Sequence, residues 1–136
     1  MSEAMGTLVY AVVKFAAYSA WCYAGLAVAR SGGAGAVPAL RFGAIRWALG
    51  LAFGVAVFIL VGSIDASAAA RTYFLVYSPV RVVEWGIMAW LIRDRARPLS
   101  TALILWCAGG LLVSFLTDLL SPEGLQGRFC VGRCLC

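Results

Sequence analysis

Residues 47–64 read WALGLAFGVAVFILVGSI, eighteen positions without one charged side chain. A helix rises about 1.5 Å per residue and the hydrocarbon core of a bilayer is about 30 Å thick, so about 20 apolar residues cross it. Extended back to Gly43, the run reaches that length. Its apolarity is continuous, whereas a barrel strand alternates, and an open sheet edge in lipid would leave backbone groups unpaired. The stretch therefore predicts a membrane-spanning helix.

Three further runs obey the same constraint. Residues 7–29 are interrupted only by Lys14, residues 72–92 contain Arg81 and Glu84, and residues 99–120 are uncharged until Asp118. The expectation is an all-α, polytopic transmembrane bundle of four helices, at about 7–29, 43–64, 72–92 and 99–120. It forms one domain over residues 1–126, followed by a cysteine-containing tail over 127–136. The glycine-rich segment 31–35 with Pro38 is expected to link the first two helices. Arg93 to Pro98 forms a charged turn, with Pro98 placed to open the fourth helix.

Composition points the same way. Hydrophobic residues make up 63% of the 136 and charged ones 12%, with a mean hydropathy of +0.93. A soluble domain carries about a quarter of its residues charged, so this chain has too little polar surface for solution. The net charge of +5 comes from arginines in short loops and not from a basic run with interleaved aromatics. Nucleic acid is accordingly not an expected partner. The first six residues carry Glu3 and no basic residue, unlike a signal peptide.

The arginines also predict an orientation. Arg30, Arg41 and Arg46 flank the first loop and Arg93, Arg95 and Arg97 fill the third, against Arg71, Arg128 and Arg133 on the other side. Basic residues in short loops stay cytoplasmic, so both termini are expected on the non-cytoplasmic side. Trp47 and Trp90 would then lie at the inner interface. Small residues recur at Ala44, Ala48, Ala52 and Ala56, beside Gly50 and Gly54. Such spacing lets helices approach closely, either within the bundle or between copies of the chain.

The candidate site is a set of charges inside the membrane. Arg81 and Glu84 are three residues apart and share a helix face, with Tyr73, Tyr77 and Met88 on the same stripe. Lys14 has Tyr10, Tyr18 and Trp21 at helical spacing around it. An ionised side chain at the bilayer centre costs about 2.5–3.5 kcal/mol on insertion scales, so it needs a partner or a purpose. Lys14, Tyr77, Arg81 and Glu84 are the expected binding cluster, able to hold an anion or an acidic headgroup. As a purely structural pair, Arg81 and Glu84 would be exchangeable for Met and Leu without loss of stability. Pro79 removes the hydrogen bond to the Leu75 carbonyl, which is expected to kink the helix and free an acceptor near the stripe.

Cys130, Cys134 and Cys136 crowd the tail. On an oxidising side, Cys130 and Cys134 are the expected disulfide, since Cys134 and Cys136 would close a strained ring. Cys136 is then the candidate thiol for a bond between chains. Metal binding ranks second, because three thiolates without histidine leave a tetrahedral site incomplete, and lipidation third. Cys22 and Cys107 read as small core residues.

No nucleophile–base pair, metal cluster or phosphate loop appears, so neither an enzyme nor a cofactor is expected. The expected role is a structural or accessory subunit of a membrane assembly, the expected partners being the lipid bilayer and further copies or other membrane subunits. The alternative is a small transporter or channel for an ion or anionic solute.

Overall fold

A computed structural model describes residues 3–30, 32–62 and 70–127. It contains four helices, α1 (Glu3–Ala29), α2 (Ala36–Val61), α3 (Ala70–Ile92) and α4 (Thr101–Leu119), with a single 3-10 turn at Gly124–Gln126. Each of the four is long and apolar enough to cross a membrane. The chain is a small, multi-pass helical membrane protein. The tail cysteines Cys130, Cys134 and Cys136 lie outside the described residues, as do Arg128 and Arg133.

The helices run alternately up and down. Tyr10, early in α1, meets Asp118 at the end of α4, and Tyr73, early in α3, meets the same carboxylate. At the opposite end Arg30 donates from Nε to the Ile92 carbonyl at 3.1 Å, placing a cation at the carbonyl end of α3.

Two helix starts differ from the sequence expectation. α2 begins at Ala36, seven residues before Gly43, because Pro38 falls in its first turn. There the backbone N–H groups have no intrahelical acceptor, so proline costs nothing and does not break the helix. α4 begins not at Pro98 but after Ser100, whose side chain accepts from the Leu103 N–H at 3.2 Å and caps the helix. The earlier start of α2 moves Arg46 and Trp47 about 15 Å into the helix. Trp47 is thus eleven residues inside α2, whereas Trp90 is two residues before the end of α3.

Pro79 lies within α3, which continues through it. Both Pro79 and Leu75 face outward, so the carbonyl freed by the proline is turned away from the polar stripe. The alanine spacing in α2 is also outward, with Ala44, Ala48 and Ala52 exposed. Glycines on the other face make the close contacts. A methyl group at Gly43 would lie 2.9 Å from the Ser19 Cα, which marks a near backbone approach of α1 and α2.

The α1–α4 seam is a reciprocal clasp. The Trp21 indole donates to the Trp106 carbonyl at 3.0 Å, and the Trp106 indole donates to the Trp21 carbonyl at 2.8 Å. Each ring lies on a glycine of the opposite helix: Trp106 on Gly25, Trp21 on Gly109. Trp85 of α3 lies on Gly110 in the same way and meets Trp106 edge to face. With Cys22, Leu26, Met88, Ile92 and Leu103, these rings form the apolar core at the end of the bundle nearer the α1–α2 and α3–α4 loops.

A methyl at Gly109 would come within 2.3 Å of the Trp21 ring. Gly109→Ala is expected to destabilise the bundle by about 1–3 kcal/mol despite alanine's higher helix propensity, as overpacking does. Thermal unfolding in detergent measures it, and an unchanged or raised midpoint would show that the clasp is not closed.

Candidate functional site: a chain of buried ion pairs

Periodicity places the polar groups before packing joins them. Tyr10, Lys14 and Tyr18 recur every four residues along one face of α1, and Ser114 and Asp118 do so on α4. Tyr73, Tyr77, Arg81, Glu84, Trp85 and Met88 form the buried face of α3. α2 adds a single charged side chain to the interior, Arg46.

Assembled, these faces form one continuous network. The Asp118 Oδ1 accepts from Lys14 Nζ through a short contact and from the Tyr10 hydroxyl at 3.0 Å. Its Oδ2 accepts from the Tyr73 hydroxyl and from Arg81 Nη2 at 2.9 Å. Arg81 turns its Nη1 to Glu84 Oε2, also at 2.9 Å, and the same oxygen accepts from Arg46 Nη2 at 2.6 Å. The order is Lys14, Asp118, Arg81, Glu84, Arg46, with the sign alternating at every step and all four helices included.

Arg46 and Glu84 are wholly buried, Arg81 is 3% exposed, and even Lys14 is only 9% exposed. Lys14 thus points inward and does not snorkel to the interface. The Arg46 guanidinium lies beside the rings of Tyr18 and Trp85, 4.6 and 4.9 Å from their centroids. That placement supplies cation–π attraction from two rings away from bulk water. The Ser114 hydroxyl ties the end of the network together, accepting from Arg46 Nη2 and from the Trp85 indole at 2.9 Å.

The network extends along the bundle and then stops. From Tyr73 to Glu84 it follows α3 for eleven residues, about 16 Å, which is about half the hydrocarbon thickness. Beyond Arg46 the interior is filled by Trp85, Trp106, Met88 and Ile92. Three cations face two carboxylates, leaving one positive charge in excess when all five are ionised.

Of the four expected cluster residues, Lys14, Arg81 and Glu84 belong to this one network. Lys14 reaches the other two through Asp118. Tyr77 is buried beside them, its ring 5.6 Å from the Arg81 guanidinium. Arg46, Asp118 and Ser114 were not among the expected residues. The sequence places Arg46 near the start of the second span, flanking the first loop, because Pro38 reads as part of the link. Asp118 ends the uncharged part of the fourth span, and its spacing of four from Ser114 is the signal that marks an inward face.

Arg81 and Glu84 are consequently not an isolated pair. Replacing them together with Met and Leu removes the carboxylate that Arg46 binds and leaves that guanidinium buried without an anion. The double variant Arg81→Met/Glu84→Leu is expected to be destabilised by about 3–5 kcal/mol, the usual cost of breaking a buried pair. Adding Arg46→Met, which leaves only the Lys14–Asp118 pair, is expected to recover most of that loss. Equal thermal midpoints for the double and triple variants would show that Arg46 is not held by Glu84. The chain matches no family model, no curated protein and no solved structure, so this network is interpreted from its own geometry.

Proposed function

We propose that this protein is a structural or accessory subunit of a membrane assembly, its interior charges holding its own helices in one arrangement. The observation that supports this reading is the alternating ion-pair chain, in which each carboxylate oxygen bonded to a cation is fixed by a second donor. A group so held is poorly suited to release and rebind a solute. The polar lane also ends against Trp85 and Trp106 instead of continuing through the bundle. The outside of the bundle is apolar, with Leu8, Val12, Ile59, Leu60, Leu75 and Leu105 exposed, as suits contact with lipid or other membrane helices.

A transporter for a small anion is the second reading. It is favoured by the excess cation and by the guanidinium N–H groups of Arg46 and Arg81 that have no acceptor among the described residues.

The two separate in reconstituted vesicles. Purified protein is expected to conduct neither protons nor chloride above protein-free vesicles, and extraction in native lipid particles is expected to retain a membrane partner or further copies in fixed ratio. Chloride or proton flux that Glu84→Gln abolishes would replace the accessory reading with the transporter.

We further propose that both termini are non-cytoplasmic. With Arg46 interior, Arg30, Arg41, Arg93, Arg95 and Arg97 still outnumber Arg71, Arg128 and Arg133. In a cysteine-free background, a membrane-impermeant maleimide applied to intact cells is expected to label Glu3→Cys and not Arg95→Cys. The opposite pattern would invert the orientation.

A further inference from the structure

Gly50 stands one helical turn beyond Arg46 on α2, where the chain of ion pairs ends. Around the point that a side-chain carbon would occupy there, the three nearest atoms from other side chains are all from charged groups. They are Arg46 Nη1 at 3.4 Å, Arg81 Nη1 at 3.9 Å and Glu84 Oε1 at 4.0 Å. Arg46 Nη1 and Glu84 Oε1 are buried and have no hydrogen-bond partner among the described residues, and their side chains are wholly enclosed. Two donors and one acceptor thus gather on the side of Gly50 where a side chain would project.

We infer that this notch is a binding site for a single water molecule, bridging Arg46 and Glu84 within the membrane. The chemistry selects the ligand. An anion would lie against the Glu84 carboxylate, and a cation against two guanidinium groups. A molecule that both accepts and donates satisfies all three. A buried water needs two to four polar partners, and three are present. The buried carboxylate oxygen and guanidinium nitrogen would otherwise each carry the desolvation cost of an unmade bond to a charged group. Gly50 is then retained because any side chain would fill the notch. The inference goes beyond the accessory-subunit reading and can fail without it.

The test turns on the sign of a glycine-to-alanine change. A methyl at Gly50 meets no atom closer than 3.4 Å, so it fits without displacing the protein. Sterics and helix propensity together favour alanine. Gly86 on α3 has nothing within 4 Å and serves as the control. Gly86→Ala is expected to raise the thermal midpoint in detergent, whereas Gly50→Ala, by displacing the water, is expected to lower it by several degrees. Gly50→Ser is expected to be more stable than Gly50→Ala, since its hydroxyl can stand in for the water. Serine is the poorer helix former, so propensity alone predicts the reverse order. In 13C-glutamate-labelled protein in deuterated lipid, polarisation transfer from water to the Glu84 carboxyl is expected, and its loss in Gly50→Ala. A raised midpoint for Gly50→Ala, serine no better than alanine, or no transfer to Glu84 in the unaltered protein would each overturn the site.

Discussion

Five ionisable side chains in a space closed to bulk water must neutralise one another, and this requirement governs the bundle. The low-dielectric interior strengthens each pair but also makes any unpaired member costly. Alternation of sign from Lys14 through Asp118, Arg81 and Glu84 to Arg46 meets the requirement with groups from all four helices. Rotating one helix by a residue, or sliding it by a turn, would separate at least one charge from its partner. Apolar packing in lipid has no comparable directionality, because lipid tails are as apolar as the side chains. The network is thus the feature that makes one helix arrangement distinct from its neighbours.

Close packing gives the network its dimensions. α1 and α2 approach through Ser19 and Gly43, one turn before Arg46. That approach lets the Arg46 guanidinium lie against Tyr18 and Trp85 and reach Glu84. At the loop end, Trp21, Trp85 and Trp106 each rest on a glycine, Gly109, Gly110 and Gly25 respectively. The indole of Trp85 also donates to Ser114, so the same ring bounds the apolar layer and completes the polar one. Polar and aromatic layers therefore share Trp85 as a common member.

The division of the bundle into a charged half and an aromatic half also shapes what it can do. Tyr10, Tyr73 and Asp118 occupy the end shared by the helix-bearing termini, while tryptophans close the opposite end. Small residues on the outer face of α2, Ala44, Ala48 and Ala52, leave that face smooth, and α3 exposes Gly86 in addition. These are surfaces on which neighbouring helices can lie close.

The sequence by itself determined the four spans, since the thickness of a bilayer sets the length of an apolar run independently of any contact. It also determined the buried stripe of α3 and the inward face around Lys14, because helical periodicity places residues on faces before anything packs. Tertiary structure decided the partners. That Lys14 would bind Asp118, and Arg46 would join Glu84, depends on relative helix depth and rotation, which close approaches at Gly25, Gly43 and Gly109 establish and no local pattern encodes. The depth of Arg46 was further hidden by Pro38, a residue that breaks a helix in its interior but is tolerated in its first turn. A charge's position along the chain is a local property, but the identity of its counterion is not.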